Sequence, residues 1–253
     1  MKELQTLAII GWCIALAAPA LADDAVTPQS PPVVQQFAPV LVEGMGNPAT
    51  ISYANLLRGV QAFNDNRPMA PTANLRFRAT DLASSSTPLT LRLETEDKVI
   101  PIEVDGEGFF LLPDPDTVGA TNGELVANRH AGTVHIGPVV RSAGFDENRF
   151  RLGDERLWCE VAFAIGRDEI SLPTRLKVAL SGPICKNDRI KVFHIQRLGN
   201  VVSGKLMEAK SEMDVIVKNN GFSVPLHDKA WSHDAVIELQ MADTTAKPAP
   251  ASH

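Results

Sequence analysis

The sequence predicts a mainly β protein, an antiparallel β-sandwich with an N-terminal helix and a second, mostly β region. Two patterns indicate this fold class. One stretch near residue 53 repeats apolar side chains with the period of a helix, and the segments after it alternate apolar and polar residues with the period of a strand. Such alternation is typical of antiparallel sheets that bury one face and expose the other.

The helix is predicted to begin near Tyr53. Thr50 or Ser52 can cap its first turn, because a short hydroxyl side chain accepts hydrogen bonds from the unpaired amides there. Asn66 and Pro68 mark its end. The apolar side chains at helical spacing are Tyr53, Leu56, Leu57, Val60 and Phe63.

Three alternating segments follow, at residues 75–79, 89–93 and 100–104, and we expect them to form consecutive strands of one sheet. Pro101 has no amide hydrogen to donate, so its strand is predicted at a sheet edge. Residues 109–113 supply a fourth strand. Together these segments predict one half of the sandwich.

A short motif lies at the last turn of this region. Asp105, Gly108, Phe110 and Leu112 fit the pattern D-x-x-G-x-F-x-L, so residues 75–113 resemble prealbumin-like, carboxypeptidase-regulatory-type β-sandwich modules. Modules of that family are generally non-catalytic and accompany other domains of exported proteins. The resemblance therefore implies an interaction or scaffold role and transfers no functional residues.

The β pattern continues beyond this motif. Residues 125–126 and 134–140 are predicted to complete a second sheet. Further along, Asn220–Gly221 is a strong hairpin dipeptide, across which residues 213–217 are expected to pair with residues 222–224. These segments make the second region mainly β.

The sequence does not decide the secondary structure of one segment in the second region. Over residues 155–166 the apolar positions suit a helix and a strand equally well, and periodicity does not decide between them. Asp154 and Glu155 are assigned to a polar turn at the start of this segment.

The first 22 residues resemble an export signal. Lys2 is followed by an apolar run over residues 7–21, and Ala20 and Ala22 form the A-x-A pattern of a cleavage site. The predicted localisation is periplasmic or secreted.

The predicted organisation is a signal peptide at 1–22, a flexible Pro-rich leader at 23–47, a helix plus β-sandwich domain at 48–147, a second mainly β domain at 148–241 and a disordered tail at 242–253.

The cysteines agree with export. Cys13 lies in the predicted signal, which leaves Cys159 and Cys185 as an even pair in an oxidising compartment. We therefore predict a disulfide between them, against the alternative of two buried thiols. No C-x-x-C motif predicts a redox pair.

The charge balance argues against two classes of partner. The formal net charge is −6, with 24 basic and 30 acidic residues and no basic cluster. Nucleic-acid phosphates and anionic membrane surfaces both require clustered Lys and Arg. The sequence predicts no nucleic-acid partner and no membrane insertion after signal removal. An envelope protein or a small ligand is the expected partner.

One loop carries a candidate metal site. Imidazoles and carboxylates at His227, Asp228, His233 and Asp234 could fold around Zn²⁺ or another divalent ion. The alternative is a polar loop between strands, in which the Asp side chains cap turns and Trp231 packs beneath. No H-E-x-x-H motif supports the metal.

Other motifs predict neither a cofactor nor a nucleophile. Residues 44–49 fit G-x-G-x-x-A ahead of the helix, but two prolines and an antiparallel pattern follow, so a dinucleotide site is not expected. There is no G-x-S-x-G elbow.

The leading hypothesis is an exported, non-catalytic binding or scaffold protein of the cell envelope. The alternatives are a metal-dependent or hydrolytic enzyme that uses the His227–Asp234 loop, and a small-ligand or glycan binder.

Overall fold

A computed structural model describes residues 46–83, 85–171, 182–195 and 200–242. The predicted signal peptide, and nearly all of the predicted leader and tail, lie outside these ranges. Across the described ranges, no helix is long and apolar enough to span a membrane.

The described chain is mainly β, as predicted, with antiparallel sheets and few helices. The helices are α1 (Tyr53–Asp65), α2 (Pro115–Val118) and α3 (Leu152–Gly166), with 3₁₀ turns at Arg67–Met69 and Ile184–Lys186. The strands are β1 (Pro48–Ser52), β2 (Ala73–Asp81), β3 (Leu91–Glu94), β4 (Val99–Ile102), β5 (Phe109–Phe110), β6 (Glu124–His130), β7 (Val134–Ser142), β8 (Arg149–Arg151), β9 (His194–Ile195), β10 (Val201–Glu208), β11 (Ser211–Asp214), β12 (Ile216–Lys218), β13 (Gly221–Ser223) and β14 (Val236–Met241).

Two antiparallel sheets form the first half. Sheet A has the order β1-β6-β3-β4, and sheet B has the order β5-β2-β7. The predicted pairing of three consecutive strands is wrong for the first of them, because β2 pairs with β7 along nine residues instead of with β3. The β3–β4 hairpin and the edge position of Pro101 are confirmed.

Gly108 fixes the close approach of β5 to β2. Its φ of +86° lies in the left-handed region, and a Cβ there would collide with the backbone carbonyl oxygen of Ala79. Asp105 accepts hydrogen bonds from the amides of Glu107 and Phe109, which holds the turn. The Asp and Gly of the short motif thus have a structural role in this turn.

Two further sheets form the second half. Sheet C has the order β11-β10-β14-β8, and sheet D has the order β12-β13-β9. The predicted hairpin is present between β12 and β13, but its two-residue turn is Asn219–Asn220, both with positive φ. Gly221 is therefore the first strand residue. Met213 pairs with Leu206 of β10 rather than across the hairpin.

Helix α1 lies where the apolar stripe predicts a helix, and it ends at Asp65 as expected. Strand β1 precedes it, so α1 is not the first element of the described chain. The predicted hydroxyl cap is wrong: Ser52 occupies the cap position without a side-chain hydrogen bond. Tyr53 is fully buried, and its hydroxyl donates to the Pro113 carbonyl oxygen at 2.6 Å.

The segment whose secondary structure periodicity left undecided is helical and belongs to α3. This helix contributes to two hydrophobic clusters. Leu157, Val161 and Ile165 pack with α1 and the inner faces of sheets A and B. Leu152 and Cys159 belong to the cluster formed with sheets C and D. The division into two domains near residue 148 stays a prediction.

The predicted disulfide is present. It joins Cys159 of α3 to Cys185 in the turn Ile184–Lys186, with 5.9 Å between the two Cα atoms. Both residues are buried. The bond anchors the segment that leads to β9 onto α3, which matters for the geometry of the site below.

Candidate functional site

Three consecutive charged residues are buried at the start of α3. Asp154 is fully buried, Glu155 is 3% exposed and Arg156 is 8% exposed. The assignment of Asp154 and Glu155 to a polar turn is therefore wrong. A charge is stable in such a position only when it is paired or hydrogen-bonded, so each of the three requires a specific partner.

Asp154 connects α3 to β7. Its carboxylate accepts a hydrogen bond from the Ser142 hydroxyl at 2.6 Å and another from the Ser142 amide at 3.1 Å. It also accepts a hydrogen bond from the Arg151 amide, at 3.4 Å, at the N-terminus of the helix. A carboxylate at a helix N-terminus is further stabilised by the unpaired amides and the helix dipole.

Arg156 organises the loop that carries the candidate metal ligands. Its guanidinium donates to the carbonyl oxygens of Leu226 at 2.8 Å, Asp228 at 2.6 Å and Trp231 at 3.1 Å. A further nitrogen, Nη1, lies 3.1 Å from Nδ1 of His233. Burial lowers the pKa of Arg156, and the nearby carboxylates of Asp228 and Glu208 oppose that effect.

Three of the four residues of the metal hypothesis have other partners. Nδ1 of His233 accepts from Arg156, and burial followed by the charge of Arg156 lowers the pKa of His233. Asp228 accepts from the Ala230 amide, and Asp234 pairs with Arg151.

His227 lies apart from them, at a small cavity beside Cys185. Among the described residues, no group of three or more His, Cys, Asp or Glu side chains is placed to hold a metal ion. A cation already occupies the centre of this loop, since Arg156 lies there. The arrangement favours the alternative of a structural loop, and the metal hypothesis is not carried further.

Glu155 holds His194 of β9. The two carboxylate oxygens lie 2.9 and 3.1 Å from Nδ1 of His194. The side chain of Glu155 is 4% exposed and that of His194 is 17% exposed. The imidazole stacks on the indole of Trp158, with ring centroids 3.8 Å apart and planes 2° from parallel. Its orientation is therefore fixed by a hydrogen bond in its plane and by a ring on its face.

The stacked rings line a cleft of about 330 Å³ between β7, α3 and β9. One wall is the chain of residues 135–139, and β7 is the outer strand of sheet B in the described part of the chain. His135 is exposed on this strand. Other lining residues are Arg78, Thr80, Ala162, Ile165, Glu169 and Phe193. A mostly apolar cleft with a few oriented polar groups is the usual form of a small-molecule site.

A second buried cation, Arg141, lies near the Glu155–His194 pair, which is called the dyad below. Arg141 of β7 stacks its guanidinium 4.0 Å from the centre of the Phe150 ring. Burial lowers the pKa of Arg141, and the charges of Glu155 and Asp154 act in the opposite direction. Arg141 therefore interacts electrostatically with both buried carboxylates, Glu155 first and Asp154 second.

Several large apolar side chains of the described chain are exposed outside the cleft. The largest exposed fractions are those of Leu111 at 78%, Val99 at 57% and Val202 at 56%. These residues lie after β5, on β4 and on β10, so they do not share one element. The cleft is the better candidate because its polar groups are oriented toward one space.

Sequence reasoning missed the dyad. Glu155, Trp158, Ala162 and Ile165 lie at i, i+3, i+7 and i+10 of α3, which places a carboxylate on an otherwise apolar stripe. If the segment had been predicted as a helix, the carboxylate of Glu155 on an apolar face would have indicated that it has a buried partner. Nothing in the sequence identifies His194 as that partner, because the two residues lie 39 positions apart.

No family model matches the chain, and no significant match was found among curated proteins or solved structures. The resemblance of residues 75–113 to prealbumin-like modules therefore stays a prediction.

Proposed function

We propose that this chain is an exported, non-catalytic binding protein, periplasmic or secreted, whose ligand site is the cleft between β7, α3 and β9. The signal-like first 22 residues and the Cys159–Cys185 disulfide support export. The observation that carries the proposed site is the fixed ring stack. Trp158 and His194 line one cavity, and a buried carboxylate orients the imidazole.

The contacts of His194 favour binding over nucleophilic catalysis. A nucleophile needs a base within hydrogen-bond distance. Within the described ranges, no hydroxyl or thiol is hydrogen-bonded to the imidazole of His194. The volume of the cleft suits a small molecule rather than a folded domain.

Tryptophan fluorescence tests this proposal. The chain has three tryptophans, and a W12F/W231F variant keeps Trp158 alone as the reporter. We expect at least one member of a panel of neutral, cationic and anionic ring compounds to change its emission saturably, because a ligand in the cleft contacts the indole.

The matched control is a W12F/W158F variant, in which Trp231 is the reporter outside the cleft. Its emission should not respond to the same compounds. The proposal is wrong if no compound gives saturable binding, or if both variants respond alike.

A further inference from the structure

The charged groups that the structure describes around the cleft indicate the kind of ligand it can hold, provided that the proposed function is right. The Glu155–His194 pair carries net charge −1 when the imidazole is neutral and zero when it is protonated, so it is never positive. Arg78 is ion-paired with Glu147. The buried Arg141 interacts with the charges of both Glu155 and Asp154, so one cation is shared by two carboxylates.

A further carboxylate, Glu169, lines the cleft. Glu169 lies just beyond the C-terminus of α3 and is exposed. Ile165 and Gly166, in the last turn of the helix, line the same space. Carbonyl groups at a helix C-terminus carry partial negative charge and favour cations. His135 lies at the exposed rim of β7, where any positive charge it carries is well solvated.

A neutral His194 that donates Nδ1–H to Glu155 keeps a hydrogen-bond acceptor at Nε2, and its ring lines the cleft. A carboxylate that accepts from Nδ1 leaves the Nε2 lone pair of a neutral imidazole on the other side of the ring. In the described part of the chain, the side-chain hydrogen bonds of His194 are made by Nδ1 alone. Nε2 therefore suits a ligand that donates an N–H.

We propose that the ligand of the cleft is a small ring-bearing amine, whose ring packs against Trp158 and whose cationic nitrogen lies between His194 Nε2 and Glu169. The apolar ring surface supplies contact area, and the acceptor and the carboxylate supply the preference for a donor with positive charge. This extends the proposed function from an unspecified small molecule to organic cations.

Three probes of matched shape test the charge preference: phenethylamine, 2-phenylethanol and 3-phenylpropionate, titrated into the W12F/W231F protein. We expect phenethylamine to bind roughly tenfold more tightly than the neutral alcohol, a difference of about 1.4 kcal/mol. We expect the carboxylate to bind most weakly. The preference for the amine should decrease as salt is added, because exposed charges are screened.

A substitution at the rim separates charge from shape. E169Q should weaken phenethylamine binding about two- to fivefold, the size of a partly screened charge contact, and leave 2-phenylethanol unchanged. E238Q, on the exposed face of β14 and outside the cleft, is the matched control and should change neither.

The outcomes distinguish the two proposals. If the alcohol and the amine bind equally, or the carboxylate binds more tightly, the amine inference is overturned and the binding site remains. If E169Q does not affect the amine, the inference is also overturned. If none of the three probes binds at Trp158, the amine inference is overturned, and the binding site is judged by the wider panel of ring compounds.

Discussion

Replacing Arg156 with Met is expected to lower the free energy of unfolding by about 3–5 kcal/mol, since it removes a buried charge from several partners at once. The side chain donates to the carbonyl oxygens of Leu226, Asp228 and Trp231 and contacts His233. Without it, buried carbonyl groups lose their donors, and each unsatisfied group costs about 1–3 kcal/mol. Urea unfolding followed by far-UV circular dichroism measures the change.

Two further variants separate the role of Arg156 from a general charge effect. R167M removes an exposed arginine at the C-terminal end of the same helix and should change stability by less than about 0.5 kcal/mol. R156K keeps the charge but replaces the planar fork with one ammonium, so it should recover only part of the loss. A stability of R156M within 1 kcal/mol of the wild type would contradict this role.

Loss of the disulfide is the second large effect. The C159A/C185A variant is expected to lose about 3.5 kcal/mol of stability, from the chain-entropy relation for a loop of this length. The sequence separation of the two residues is 26. The bond also ties the turn Ile184–Lys186 to α3, so Trp158 emission should report a looser environment near β9.

Reduction of the wild type supplies the internal control. Adding a thiol reductant should lower its stability to that of the double variant and leave the variant itself unchanged. If the reductant has no effect on the wild type, or the variant is as stable as the wild type, the bond contributes little and this expectation fails.

Local sequence patterns predicted which segments form helices and strands better than they predicted which strands pair. The stripe from Tyr53 to Phe63 and the alternation in β3 and β4 depend on neighbouring residues, and both produced the expected element. The pairing of β2 with β7 joins residues about sixty positions apart, and alternation in each strand does not specify which strand is its neighbour.

The candidate site was predicted poorly for a related reason. Asp154, Glu155 and Arg156 form a polar sequence, which normally lies at the surface. Their burial becomes clear only when α3 is placed between the two halves, so that Ser142, His194 and the loop of Leu226 surround them. The cysteine pair was predicted because parity and compartment are properties of the sequence itself.

The protonation of the His194 ring tests the proposed site most directly. Nitrogen-15 NMR of the imidazole, assigned by comparison with an H194Q variant, shows which ring nitrogen carries the proton when the ring is neutral. We expect the proton on Nδ1, donated to Glu155, with Nε2 unprotonated and facing the cleft. A proton on Nε2 would mean that Glu155 donates to the ring, and it would contradict a cleft that accepts hydrogen bonds from its ligand.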